Sequence, residues 1–398
     1  MEYLKVPRLV IKLYFCIYCS LLIIQPSLAQ SSAPQSSPRI LFIYPVDKGF
    51  PFWDSQVNFA QAVSDALGLE LEIAYAPEGY RNRFWAADYI KNILSSRTQQ
   101  PDLVITSFWV GSEEKILTML GNKKIPLISI NSDVSEEQFS KLGQPRERFP
   151  YWIAHLSPND TDTGYQLANN IVQRSRDIRC PSSNCNVNLF AITGMSASAV
   201  SKQRIKGLEQ LLKEDLKSKL LNVVYGNWDR KLVEGMTDAI FSRHKDINAF
   251  WIASDVMAYG LEDGMFKMNM SLPKNTIIGG IDWSPPTINK IKQGKMHMSL
   301  GGHFLEAGLS LILFYDYLNN TDFKDDIGVV IKTDMSILDK HNVDSLGVFL
   351  SQPHWSKSRL RSYSRFINPN REQYSFSPER IILDQLESKI IEAVPNTQ

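Results

Sequence analysis

Residues 39–76, RILFIYPVDKGFPFWDSQVNFAQAVSDALGLELEIAYA, decide the fold. Residues 40–44 form a short, continuous apolar run ended by Pro45, the pattern of a strand buried on both faces of a parallel sheet. Asp54 is the expected N-cap of the next element, in which Phe59, Val63, Ala66 and Leu67 recur at helical spacing until Gly68 supplies a stop. Residues 69–75 then read as a second strand. In open parallel sheets ligands bind beyond the carboxyl ends of the strands, and the loop at that place is residues 47–53. It holds one glycine and three rings, so it is not the glycine cluster that cradles a phosphate. Phe50, Phe52 and Trp53 on a loop stiffened by Pro51 suit the apolar face of a small sugar-like ligand; the competing reading is that they plug the core.

The alternation continues outward. Helical spacing is expected over residues 81–97, 112–120, 160–176, 201–216, 230–242, 256–267, 285–291 and 306–318. Strands are expected over 102–106, 125–130, 187–193, 221–225, 249–253, 276–281 and 296–300, with a crossover beginning at 151–155. Strand and helix in strict turn imply parallel sheets covered on both faces, and this many strands favours two sheets over one. From about residue 329 the pattern weakens, and residues 352–377, rich in Ser, Arg, Pro and aromatics, read as a surface tail packed against a lobe.

At the amino end, Lys5, Arg8 and Lys12 precede an apolar run over residues 13–24 and the stretch Ser27, Leu28 and Ala29, small at its first and last positions. That order is a secretory signal peptide, with cleavage expected after Ala29; the run is short for a membrane span. Cys16 and Cys19 leave with it, and residues 30–38 are a Ser-, Pro- and Gln-rich linker. Loss of Glu2, Lys5, Arg8 and Lys12 takes the formal net charge from +1 to −1, which gives no argument for a nucleic-acid partner. Cys180 and Cys185 remain, and two cysteines across a turn of an exported chain read as a disulfide. No histidine lies near them, so a metal site is not expected there.

Six stretches carry a family resemblance: residues 49–53 (GFPFW), 128–133 (ISINSD), 201–208 (SKQRIKGL), 253–260 (ASDVMAYG), 279–283 (GGIDW) and 301–304 (GGHF). In this order they resemble the type I periplasmic binding proteins, in the sugar-binding branch that includes ribose and galactose receptors and the autoinducer-2 receptor. The resemblance covers roughly residues 39–331. It implies an α/β fold of two Rossmann-like lobes with parallel sheets joined by a three-crossing hinge, with crossings near 154–158, 301–304 and 331–334. The implied division is residues 39–154 plus 304–331 for the first lobe, 158–301 plus 332–350 for the second, and 351–398 for a C-terminal tail.

Carried over by position, the resemblance implies stacking by Phe50, Phe52 and Trp53, and hydrogen bonds to ligand from Thr106, Asn131, Arg204, Ser254, Asp255 and Asp282. A carboxylate accepting from neighbouring hydroxyls beside a guanidinium donating to them makes an orientation-specific clamp. Arg204 has a solvated-surface alternative, Asp255 a helix-cap alternative, and Asn131 a turn alternative. His303 stands where the family places a polar contact or hinge, the alternative being a structural histidine. Asn131-Ser132 replaces the Asp-Arg pair usual in ribose-type receptors, and Ser254 replaces an Asn, so an ordinary aldopentose or hexose is in question.

The implied role is a monomeric, non-enzymatic receptor of the periplasm. It would close over a small polyhydroxylated ligand without a cofactor and present it to an inner-membrane ABC permease or, alternatively, a membrane sensor protein. A transcription regulator with the same core needs a helix-turn-helix where this chain has a signal peptide and linker. Against catalysis stand the lack of a Ser, His, Asp arrangement, of His-Glu-x-x-His and of a phosphate loop, although Asp255 and Asp282 could be imagined as a glycosidase pair.

Overall fold

A computed structural model describes residues 36–77, 85–180, 185–271, 275–371 and 373–393. The expected signal peptide, most of the expected linker, the start of the helix expected at 81–97, the four residues between the cysteines and the last residues of the tail lie outside them.

Among the described residues twelve strands form two sheets. In chain order they are β1 (Arg39–Tyr44), β2 (Glu70–Tyr75), β3 (Leu103–Thr106), β4 (Leu127–Ile130), β5 (Trp152–Pro158), β6 (Val187–Thr193), β7 (Ser218–Tyr225), β8 (Ala249–Ile252), β9 (Ile277–Asp282), β10 (Met298–Gly301), β11 (Val330–Thr333) and β12 (Ser336–Asp339). The first sheet runs β11-β5-β4-β3-β1-β2 and the second β12-β10-β9-β8-β6-β7. Every pairing is parallel except β10 with β12. The chain passes between the sheets after β5, after β10 and after β11. β3, β4 and β8 are buried along their whole length, as central strands covered by helices on both faces must be.

Several boundaries differ from the sequence reading. The helix after β1 begins at Pro51, with Phe50 as its N-cap, so Asp54 sits in the first turn instead of capping it. Pro51 needs no amide partner there, and Gly68 closes the helix in the left-handed region at φ 71°. The Asp54 carboxylate instead accepts the Tyr44 hydroxyl at 2.9 Å, which ties the helix start to β1. β7 begins three residues before residue 221, and a helix over Glu136–Leu142, closed by a Ser135–Gln138 capping box, was not expected.

The helices Asp160–Arg179 and Ala199–Glu214 cross through two glycines. A Cβ at Gly164 would lie 2.0 Å from the Arg204 carbonyl oxygen, and one at Gly207 would lie 2.0 Å from that of Thr161. Only glycine permits so close an approach, and it sets Arg204 against Asp160.

The carboxyl-terminal segment is not a surface tail. Helices Val343–Ser351, Lys357–Ser362 and Pro378–Ala393 bury Leu346, Leu360, Ile381 and Ile382, and the stretch between the last two buries Tyr363 and Tyr374. Its apolar residues are spaced irregularly because buried polar partners, not one apolar face, hold much of it. Cys180 and Cys185 are joined as a disulfide with Cα atoms 6.2 Å apart. Closing so small a loop stabilises by about 2 kcal/mol. Unfolded, unreduced mature protein is therefore expected to show no reactive thiol, and two labelled cysteines would refute the pairing.

Candidate ligand site

A cavity of about 420 Å³ lies where the carboxyl ends of both sheets meet. From the first lobe come Pro45 and Val46 after β1, Phe50, Phe52 and Trp53 at the helix start, Ser107 to Val110 after β3, and Asn131 and Ser132 after β4. From the second come Met195, Ala197 to Val200, Arg204, Asn227, Trp228, Ser254 and Asp282, and His303 follows β10. The volume suits a small organic ligand.

Tyr44 fixes the aromatic wall. Its hydroxyl lies 3.2 Å from the Phe50 carbonyl oxygen, to which it can donate, and receives the Phe50 amide at 3.3 Å. Phe52 meets Trp53 edge-on at 5.3 Å and lies against His303 at 4.4 Å with their planes 28° apart. His303 is thus part of the wall.

Across the cavity, Arg204 donates from Nε to Asp160 Oδ1 at 2.7 Å and from Nη1 to the Ala253 carbonyl at 2.6 Å. Its guanidinium carbon lies 5.8 Å from the centre of the Trp228 ring, which rests on Gly194 so closely that a Cβ there would come within 1.9 Å. Asp282 Oδ1 and His303 Nε2 face each other at 3.6 Å. Burial, then the Asp255 charge, pushes the Asp282 carboxyl well above the usual range against the pull of Arg204. Burial, then Arg204, pushes the His303 imidazole well below its ordinary value. With Asp160 matching Arg204, the wall presents little net charge.

Four of the nine non-glycine residues with positive φ among the described residues line this cavity, Asn131, Asn227, Trp228 and Asp282, and a fifth, Trp283, follows Asp282 in the chain. Such backbone persists where the surroundings hold it, and it concentrates at functional sites.

The profile of the family described as a periplasmic binding protein domain matches residues 40–312. The chain belongs to that family. Among curated proteins none matches the sequence. Among solved structures, a periplasmic sugar-binding protein from Pseudomonas fluorescens has a TM-score of 0.74 at 21% identity, covering 87% of this chain and 99% of its own. The periplasmic binding protein of the arabinose ABC transporter from Shewanella sp. ANA-3, bound to L-arabinofuranose, has a TM-score of 0.65 at 13% identity, covering 80% and 99%. A solute-binding protein from Actinobacillus succinogenes 130z with bound D-allose gives 0.64 at 16%, covering 77% and 99%. These likenesses establish the two-lobe periplasmic binding protein fold.

Within that fold, two residues expected in the ligand set stand outside the cavity wall. Thr106 is buried with its hydroxyl donating to the Ser107 carbonyl at 3.3 Å; the wall begins one residue later. Asp255 is fully buried and accepts from the Ser284 amide at 2.9 Å, the Thr287 hydroxyl at 2.7 Å and the Ser299 hydroxyl at 2.8 Å. It holds the Asp282–Ser284 turn in place and is not part of the cavity wall. Ser254, which lines the cavity, caps the helix that Asp255 begins, receiving the Met257 amide at 3.4 Å. Phe108, Trp109, Asn227 and Trp228 were missed. Their signal was available, since Ser-Phe-Trp and Gly-Asn-Trp-Asp each follow a strand at its carboxyl end.

Beside the cavity, Asp133 joins the lobes. It accepts from Gln203 Nε2 at 2.5 Å, from Lys332 Nζ at 2.6 Å and from the Ser157 hydroxyl at 3.0 Å. Against the upward push of burial, His155, Lys332 and Gln203 hold its carboxyl below the usual range. His155 completes a Ser, His, Asp line that the sequence did not disclose. Ser129 Oγ accepts from Trp152 Nε1 at 2.8 Å and shares a hydrogen bond with His155 Nδ1 at 2.8 Å, and His155 Nε2 stands 3.6 Å from Asp133. Ser129 and His155 are fully buried and neither lines the cavity, so this serine cannot reach a substrate bound there.

Glu306, fully buried, accepts the Asn131 amide at 2.8 Å and the Thr333 hydroxyl at 2.6 Å, linking a cavity residue to a crossing between the sheets. Burial pushes its carboxyl up to about 8. A carboxyl raised in the folded state contributes stability that is complete below its unfolded value and is lost as pH rises through the folded one. Raising pH from 6.5 to 8 should therefore cost about 1–2 kcal/mol through this group. Denaturant melts at both pH values should show that loss shrinking in Glu306→Gln; equal losses in both proteins would contradict it.

Proposed function

We propose that this protein is a periplasmic receptor that closes its two lobes over a small, uncharged, sugar-like ligand and delivers it, unchanged, to an ABC permease of the inner membrane. The observation that carries the reading is one cavity walled by Phe50, Phe52 and Trp53 from one lobe and by Arg204, Ser254 and Asp282 from the other. Rings take the C–H faces of a sugar, and the polar groups take its hydroxyls. Arg204 spends its charge on Asp160, while burial favours neutral Asp282 and His303, so a charged ligand would find no counter-charge. Family membership and the sugar-bound neighbours support the class, and the N-terminal residues support export.

In this reading the ligand contacts are Phe50, Phe52, Trp53, Asn131, Arg204, Ser254, Asp282 and His303, with Asp255 and Asp160 as positioning residues. Incubation with a panel of neutral pentoses, hexoses and inositols, followed by calorimetry and chromatography of the sugar, tests it. One sugar should bind and be recovered intact. Turnover of a sugar would make the protein an enzyme, and binding only of acidic or phosphorylated compounds would overturn the ligand class.

A further inference from the structure

The family profile ends at residue 312, and the chain beyond that residue ties the two lobes together. The helix Val343–Ser351 packs on the second lobe, where a Cβ at Gly347 would come within 2.8 Å of Ile288 Cγ2. Four residues later Trp355 lies between two rings, 4.7 Å from Phe349 of that helix and 4.5 Å from Phe59 of the first lobe. Arg361 then donates to the Ala66 carbonyl at 2.9 Å, near the carboxyl end of the Phe59 helix. Further on, the buried Asp316 of the first lobe accepts the Arg365 amide at 2.7 Å and the Tyr374 hydroxyl at 2.6 Å.

The chain comes back beside the crossing that follows β10. Gly302 has φ 113°, and a Cβ on it would stand 2.2 Å from Pro378 Cβ. Pro378 opens the last helix, whose Gln385 and Asp384 accept the Ser356 amide at 2.8 Å and the Tyr363 hydroxyl at 3.0 Å. Next to Gly302 is His303, stacked on Phe52 in the cavity wall.

We propose that residues 352–388 are a strap across the hinge that limits how far the lobes open. Rotation of one lobe against the other moves Phe59 relative to Phe349 and strips Trp355 of one of its two partners. It also asks Gly302, the crossing with the freest backbone, to turn against a proline ring already in contact with it. Both contacts favour the lobe arrangement seen here, by as much as they differ between the two arrangements. The inference rests on the proposed lobe closure, and its test uses no ligand, so the two can fail separately.

The test is the distance between spin labels on cysteines placed at exposed Lys123 of the first lobe and Lys245 of the second, in the mature chain unfolded, freed of any bound small molecule and refolded, without added ligand. The native chain should give one narrow distance distribution. Trp355→Ala should add a second, distinct distance, and so should Pro378→Gly, which leaves the Trp355 sandwich intact and decides the matter if Trp355→Ala does not fold. Two distances in the native chain, or one unchanged distance in a folded variant of either kind, would overturn the proposal.

Discussion

Arg204→Ala is expected to destabilise the folded protein by about 3–5 kcal/mol, the cost of removing one partner from a buried ion pair. Asp160 is fully buried, its Oδ1 is held by Arg204 Nε at 2.7 Å, and its Oδ2 has no hydrogen-bond partner. Without the guanidinium that carboxylate has no counter-charge, and the Ala253 carbonyl loses a donor. Burial already pushes the Asp160 carboxyl up, with Arg204 as the main opposing pull, so the variant's Asp160 takes up a proton at higher pH. A folded value raised above the unfolded one gives stability at low pH that is lost as pH rises, so the deficit should be larger at pH 8 than at pH 5. Adding Asp160→Asn should recover part of it. Denaturant midpoints for the single and double variants at both pH values decide this, and a single variant as stable as the native protein would mean the pair is not buried as described. The resemblance implied a ligand contact at Arg204, with a solvated surface residue as the alternative; its burial on Asp160 makes it structural as well.

Asp255→Ala is the second large effect, about 3 kcal/mol or more, because it leaves three buried donors without an acceptor at about 1–3 kcal/mol each, not fully additive. The Ser284 amide suffers most, since a backbone group cannot turn toward water. The turn at Asp282 and Trp283, with φ 130° and 58°, then loses its anchor, so ligand binding should weaken although Asp255 lies behind the cavity wall. Asp255→Asn keeps one acceptor oxygen and should lose less stability than alanine. Denaturation curves, with binding measured at temperatures where each variant is folded, test this. Native stability in Asp255→Ala would show that the three hydrogen bonds carry no net stability.

The alternation of apolar runs with helical spacing made the two sheets legible, because buried parallel strands leave continuous signals such as residues 40–44 and 249–252. The cavity was legible mainly at strand ends, where Phe50, Phe52, Trp53, Asn131, Arg204, Ser254, Asp282 and His303 all line it. Thr106 and Asp255 stand outside its wall; motif position does not tell which way a side chain points. A one-residue step turns a strand residue to the other face, and a helix-start carboxylate can look inward as easily as outward. Trp228 follows a strand end, a signal the sequence does offer, but its seat on Gly194, distant in sequence and bare enough to take the ring, shows only in the fold. The segment after residue 351 was misread for a related reason. Asp316 and Phe59, which anchor it, lie in other elements, so no local pattern announces it.

The most direct measurement is mass spectrometry of small molecules released when the purified, undialysed mature protein is denatured. A single uncharged polyhydroxylated compound the size of a monosaccharide, in near-equal molar amount, is expected, and Asp282→Ala protein should release much less of it. A phosphorylated, acidic or nucleotide ligand released in that amount, or a sugar retained equally by the Asp282→Ala protein, would contradict the assignment of this cavity as a receptor site for neutral sugars.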